Sequence, residues 1–426
     1  MTQNPPTAID VPSPDGHDVR VIRYLPDTGG LWAVDTEAPS YRQLRPFNHP
    51  DGEQNIQALA TGDMGAAYDD MGDGYGQTDG FPVYKDLSTR LTDIVEHPDP
   101  VAAHTMAVCS GYAYSGAETV SMIMARMGLE KNHCRLVSAT VDAMFICSRA
   151  FLVQSADGKV VILCYRGTEP TNLANGLTDL DVEPERINYQ FEDPCASVHA
   201  GFYRNVRATR HEVMEALGRA VAGRSVRKPW NGEPERMPGK LEALYITGHS
   251  LGGAMAAMMA AMLHNEKKYE AVADLLKGVY TFGQPMIGDP SFARACEDNK
   301  EFSRKIVRYI HGDDVIPHFP PVTAGPFMHF GREYRYRISH LRESVSGWLR
   351  YMGSSYQRQT GEWRETDVYT SQMSSFLGFA LGASTFAARK SQILRALPVV
   401  YSLEDHLPAH YIGTLTPRGV SDEFGD

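Results

Sequence analysis

The segment Leu244-Tyr245-Ile246-Thr247-Gly248-His249-Ser250-Leu251-Gly252-Gly253-Ala254 constrains this chain more than any other stretch. It joins a short apolar run to a serine with glycine two residues to either side, then to an alanine-rich stretch reaching Leu263. A serine at a tight strand-to-helix turn must hold a strained backbone angle, and side chains two positions before or after it would collide with each other or with the sheet. Gly248 and Gly252 remove those collisions. The following helix would aim its N-terminus at Ser250 and present backbone N–H groups to a developing oxyanion. A bare G-x-S-x-G arises by chance, so the strand before it and the helix after it carry the weight.

The rest of the chain alternates in the same way. The pattern predicts one long helix from Val101 to Met127, then apolar runs Ala143–Val153 and Val160–Tyr165 flanking a Ser155-Ala156-Asp157-Gly158 turn, which reads as a hairpin. A helix from Phe202 to about Val221, a strand over Gly278–Phe282, a helix over Pro290–Asn299 and a strand over Lys305–Ile310 follow. Alternation of this kind implies an α/β fold, with a mostly parallel central sheet flanked by helices. Residues 1–100 are rich in Pro, Gly and Asp, carry no motif of chemical interest, and read as an N-terminal extension to a domain spanning 101–426. Within that domain, residues at about 340–400 form a helical, apolar insertion. Its core, Met373–Ala388, holds Phe376, Leu377, Phe379, Leu381 and Phe386. At about sixteen residues it falls short of the roughly twenty that span a bilayer, so it reads as a cap helix, an interfacial anchor or an ordinary buried helix.

Charge and cysteine content exclude several classes. A formal net charge of -11 and a pI near 5.8 argue against nucleic acid as a partner and give no general attraction to anionic membranes. Lipid contact would have to be apolar or local. Met1–Arg20 has no apolar core of the Sec signal type, so the expected location is cytoplasmic, or outside the cell by export without a Sec signal peptide. Six cysteines without paired spacing describe neither a disulfide framework nor a zinc site, and Cys164, inside an apolar run, reads as a core residue. Asp69, Asp70, Asp73 and Asp79 resemble a calcium loop in composition, but Met71 and Gly80 stand where that loop needs acids. No metal and no organic cofactor is expected.

Serine is a poor nucleophile until a histidine takes its proton and a carboxylate orients the imidazole. After Ser250, the stretch Arg308-Tyr309-Ile310-His311-Gly312-Asp313-Asp314-Val315-Ile316-Pro317 places two carboxylates just past an apolar strand, where α/β sites assemble. Either Asp313 or Asp314 could serve. Leu403-Glu404-Asp405-His406-Leu407-Pro408-Ala409-His410-Tyr411 then offers two histidines, His406 and His410. His249, beside the serine, is misplaced as a base because neighbouring side chains at a tight turn point apart. It reads as a packing and orientation residue.

Taken together, the motifs resemble the class 3 lipases, a group typified by fungal triacylglycerol lipases and shared by plant and bacterial esterases and phospholipases A1. The resemblance covers about 140–330 and 401–415. It is carried by Tyr165-Arg166-Gly167-Thr168, Val198-His199-Ala200-Gly201-Phe202, the Gly248–Ala254 turn, Thr281-Phe282-Gly283-Gln284-Pro285 with Gly288-Asp289, and Asp314-Val315-Ile316-Pro317 with Pro320-Pro321. It implies an α/β-hydrolase fold with Ser250 as nucleophile, Asp314 as acid in preference to Asp313, and His406 as base in preference to His410. Thr168 and Leu251 would supply the oxyanion donors, and Glu169–Ala196 would occupy the lid position. The implied activity is hydrolysis of a carboxylic ester of a lipid-like substrate through an acyl-enzyme, as a triacylglycerol lipase or carboxylesterase. A phospholipase A1, a lipase effector without a signal peptide, and an inactive fold kept as a binding scaffold are the alternatives.

Overall fold

A computed structural model describes residues 9–11, 20–25, 30–34, 41–43, 81–141, 146–167, 184–186, 196–229, 232–338, 361–366, 369–372 and 405–423. Near the N-terminus, β1 (Ile9–Val11), β2 (Arg20–Leu25), β3 (Gly30–Val34) and β4 (Tyr41–Gln43) form an antiparallel sheet in sequence order. The main sheet has eight strands. Five are parallel neighbours: β7 (Val160–Tyr165), β10 (Ala243–His249), β11 (Leu276–Phe282), β12 (Ile306–His311) and β13 (Arg332–Ile338). Antiparallel strands close both edges, β6 (Ile146–Gln154) with β5 (His133–Val141) beside β7, and β14 (Gly361–Thr366) beside β13. A short ribbon pairs β8 (Pro184–Arg186) with β9 (Ser197–His199).

The hairpin between β6 and β7 forms as the sequence predicts. Asp157 Oδ1 accepts from Ser155 Oγ at 2.5 Å and from the Lys159 amide at 3.0 Å, while Gly158 takes a φ of 81°. Every residue of β7, β10 and β12 is buried, as expected of strands covered on both faces. Their side chains alternate between two cores. Val161, Leu163, Leu244, Ile246, Val279 and Ile306 pack with α4 (Ala200–Val221) and α5 (Leu251–Asn265). Ile162, Cys164, Tyr245, Tyr280, Phe282, Val307 and Tyr309 pack on the other face with α1 (Leu87–Asp93), α2 (Pro100–Tyr112) and α3 (Ala117–Met127). Each fully buried aliphatic side chain contributes about 1.5–3 kcal/mol, so this two-sided burial is what holds the parallel strands in register.

The short helix α6 (Glu270–Ala273) leads into β11, α7 (Pro290–Asp298) and α8 (Lys300–Lys305) connect β11 to β12, and α9 (Pro408–Leu415) follows β14. Asp289 caps α7 by accepting the Phe292 amide at 2.8 Å, and its other oxygen accepts the Ser197 amide at 2.9 Å and hydroxyl at 2.6 Å. One carboxylate therefore joins a helix start to β9.

Three regions differ from expectation. The helix expected over Val101–Met127 is two helices, because Tyr114-Ser115-Gly116 interrupts it and Gly116 is extended at φ −89° and ψ 173°. Within the expected N-terminal extension, Leu87 and Leu91 of α1 are fully buried in the core. Within the expected insertion at 340–400, the described residues include strand β14. The apolar stretch Met373–Ala388 lies outside the described residues. Among those described, no helix is long and apolar enough to cross a membrane, and no cluster of His, Cys, Asp or Glu could hold a metal ion. Cys109, Cys134, Cys164 and Cys296 are buried free thiols.

Several histidines are buried as neutral groups. His104 of α2 lies between the Tyr84 hydroxyl at 2.8 Å and the Thr416 hydroxyl at 3.3 Å, and burial lowers its pKa to about 4 against a partial opposing pull from Asp422. Burial likewise lowers His97 and His133 to about 4. The unfolded chain takes up these protons near the ordinary value of about 6.5, whereas the folded protein resists until about pH 4. Stability is therefore complete above about pH 6.5 and declines as pH falls to about 4, by about 1.4 kcal/mol per pH unit for a group such as His104. Urea unfolding across this range should show that decline, and His104→Gln should make it shallower by about the share of one such group.

Candidate active site

Ser250 joins β10 to α5 with φ 58° and ψ −130°, a region that side chains other than glycine rarely enter. Its amide donates to the Phe282 carbonyl of β11 at 2.8 Å, and its own carbonyl accepts from the Gly253 amide at 2.9 Å. The glycines do what the sequence requires of them. A Cβ on Gly248 would stand 2.3 Å from the Gly252 carbonyl, and a Cβ on Gly252 would stand 2.2 Å from the Tyr165 carbonyl. Leu251 is the first helical residue, where the backbone N–H has no intrahelical acceptor. Thr168 and residues 169–183 of the expected lid stretch lie outside the described residues, as do residues 187–195.

Asp314 follows β12 in a turn, and His406 lies in the turn ahead of α9. Both are buried, at 1% and 2% exposure. His406 Nδ1 is 3.0 Å from Asp314 Oδ1 and 2.8 Å from Oδ2. A carboxylate only accepts, so Nδ1 carries a proton and donates it to Asp314. Asp314 also accepts from the Tyr411 hydroxyl at 2.5 Å and the Ile316 amide at 2.9 Å. Burial alone would raise the Asp314 carboxyl; His406, Tyr411 and the Ile316 amide outweigh it and hold the group below its ordinary value. Asp314 is thus an anion inside the protein.

The alternatives fall elsewhere. The Asp313 amide donates to Asp405 Oδ2 at 3.1 Å, and it is Asp314, not Asp313, that meets the His406 ring. His410 stacks on His311, with ring centroids 5.2 Å apart, while His311 stacks on Tyr336 on its other side at 5.0 Å. His249 Nε2 lies 2.6 Å from the His406 carbonyl, so it contacts the main chain of the histidine loop.

Ser250 Oγ and His406 Nε2 are both buried and, among the described residues, both lack a hydrogen-bond partner. They belong to neighbouring positions on one sheet edge. The Ser250 amide bonds Phe282, and the next residue, Gly283 at φ 59°, faces the Asp314–His406 pair so closely that a Cβ there would stand 2.6 Å from both Asp314 Oδ2 and His406 Nδ1. On the opposite side, a Cβ on Gly167 would stand 3.3 Å from the Ser250 Cβ. The site lies beyond the carboxyl ends of β7, β10, β11 and β12, where open α/β sheets bind ligands. Sequence reasoning quoted Gly283 and Tyr411 within motifs without giving either a task, and passed over Tyr114. Their roles depend on contacts between segments far apart in the chain.

Residues 162–324, under half of the chain, match the family model described as Lipase (class 3). Among curated relatives, the triacylglycerol lipase OBL1 of Ricinus communis is 25% identical over 42% of this chain and 39% of its own length. The lipase of Rhizomucor miehei is 25% identical over 59% of this chain and 69% of its own. The match thus spans well under half of the Ricinus protein. Among solved structures, the Rhizomucor miehei triacylglyceride lipase overlays with a TM-score of 0.40 at 24% identity, covering 56% of this chain and 79% of that one.

Gly283→Ala tests the packing of the pair directly. The added methyl group must displace Asp314 or His406, and the positive φ costs roughly 1–2 kcal/mol in addition. The folded protein should show a downfield proton resonance from His406 Nδ1; the variant should lose it while keeping its circular dichroism.

Proposed function

We propose that the protein hydrolyses carboxylic esters of lipid-like substrates through an acyl-enzyme. The observation that carries this reading is the pair of buried, unpartnered atoms, Ser250 Oγ and His406 Nε2, at a strained turn whose histidine is already committed through Nδ1 to a buried carboxylate. A polar atom buried without a partner costs about 1–3 kcal/mol. Two of them at one sheet edge are sensible where a substrate completes the site.

In this reading Ser250 Oγ attacks the ester carbonyl carbon as its proton passes to His406 Nε2. Asp314 stabilises the imidazolium without taking the proton, since it stays below its ordinary pKa. The Leu251 N–H, at the start of α5, and the Thr168 N–H hold the oxyanion. Collapse of the tetrahedral intermediate expels the alcohol, which takes the proton from His406, and water repeats the cycle on the acyl-enzyme with His406 again as base. A lipid-like acyl group is supported by the relatives, whose names specify triacylglycerol lipases. Contact with a lipid surface follows from that substrate class.

The test is treatment with a fluorophosphonate, followed by mass spectrometry of the adduct and assays on p-nitrophenyl esters of rising chain length, triacylglycerols and phospholipids. Label is expected at Ser250. Ser250→Ala and His406→Ala should each lower turnover by about four orders of magnitude or more while remaining folded, whereas His410→Ala should stay within a few-fold of the parent. Inactivation by His410→Ala with an active His406→Ala protein would overturn the assignment of the base.

A further inference from the structure

We propose that Tyr114 and His249 are positioning residues: a hydrogen-bond chain from the break between α2 and α3, through the His249 imidazole, to the main-chain carbonyl of His406, setting the base and the Gly167 step relative to Ser250. The proposal rests on the ester-hydrolase reading of Ser250 and His406.

The donors and acceptors along the chain are determined by chemistry. His249 Nε2 lies 2.6 Å from the His406 carbonyl, which can only accept, so Nε2 carries a proton. The ring is 1% exposed, and burial, aided by the neighbouring His406, lowers its pKa to about 3, so it is neutral and its Nδ1 is an acceptor. The Tyr114 hydroxyl, 2.8 Å from Nδ1, therefore donates. Burial of Tyr114 raises its own pKa far above the ordinary value, which keeps that proton in place.

The geometry gives this chain a task beyond filling space. A Cβ on Gly167 would stand 2.4 Å from the Tyr114 hydroxyl and 2.6 Å from the His249 carbonyl, so both residues press against the step that precedes Thr168. The His249 ring also lies 4.4 Å from the His406 ring and 5.8 Å from Tyr411, the residue that bonds Asp314. His406 itself sits in a turn outside any strand or helix. A rigid contact to its carbonyl from the end of β10 ties it to the strand that carries the nucleophile.

The experiment compares Tyr114→Phe, His249→Leu, His249→Gln and the double variant Tyr114→Phe/His249→Leu by kcat and KM on a soluble p-nitrophenyl ester, by fluorophosphonate labelling rate and by thermal melting. A misplacement of the base by a fraction of an ångström should appear in kcat and labelling, about tenfold for Tyr114→Phe and more for His249→Leu, with KM within about twofold. His249→Gln retains an amide donor for the His406 carbonyl and should recover most of the rate. Because the two residues act through one chain, the double variant should be no slower than His249→Leu. Labelling of both single variants at the parent rate would overturn the relay while leaving the ester-hydrolase reading intact. Additive losses that follow melting temperature, with His249→Gln no better than His249→Leu, would also overturn it. A parent protein that takes no label at Ser250 would overturn the hydrolase reading and the relay with it.

Discussion

The backbone of Ser250 is the constraint on which the rest of this structure depends. Its φ of 58° places a non-glycine residue where the chain is strained by about 1–3 kcal/mol, and such a geometry persists only when its surroundings over-determine it. They do so from both sides of the junction. Ahead of it, every residue of β10 is buried between parallel neighbours; after it, Gly252 through Leu263 of α5 are buried as well. The closest approaches are then backbone against backbone, which is why glycine occupies 248 and 252. The same crowding spreads to Gly167 and Gly283, where β7 and β11 end beside the serine. Close convergence of four strand ends concentrates chemistry here and leaves no space for side chains that have no part in it.

Buried charge is handled in two places by the same rule. Asp314 keeps its negative charge in the interior because three donors meet it. At the far side of β12, Arg308 and Glu333 form a buried pair at 3.1 Å, and Glu333 also receives Arg335, the Thr370 amide and the Thr370 hydroxyl. Burial raises Glu333, but Arg308 and the other partners bring it down to about 2. A pair of this kind adds little net stability, yet removing one partner costs about 3–5 kcal/mol because the other charge is stranded. Its structural consequence is specific: residues 369–372 are fastened to the sheet, with Gln372 bonding the Phe327 amide at 3.1 Å and the Gly325 carbonyl at 2.8 Å.

What could be read from the sequence was whatever depends on neighbours along the chain. The turn at Ser250, the hairpin at Ser155–Gly158 and the capped helix starting at Pro290 are local, and their glycines, aspartates and prolines announce them. Strand β13 was missed although Tyr334, Tyr336 and Ile338 alternate with charged residues, because Glu333 is buried only where Arg308 of another strand meets it. The break in the helix over Val101–Met127 is marked by Ser115-Gly116, but it was missed because apolar residues continue on both sides of that pair. Gly283 was visible as part of a motif, but its reason, an aspartate and a histidine packed against its Cα, involves residues brought together only by the fold.

Ninety-two positions separate Asp314 from His406, and this separation explains why the anchors lie where they do. Closing a loop of that length costs only a little more entropy than closing a short one, because the cost grows with the logarithm of length, so added residues between Asp314 and His406 are tolerated thermodynamically. What an insertion threatens is precision. Asp405 answers that threat at the second end, accepting the Asp313 amide so that the residues adjoining Asp314 and His406 are bonded to each other. Gly312, at φ 52°, allows the approach, since a Cβ there would stand 2.9 Å from Asp405 Oδ2. With Tyr411 bonding Asp314 from α9, the pair is held by contacts at both ends of the connecting segment. The geometry at the sheet edge is therefore set by short-range contacts among β10, β11, β12 and α9.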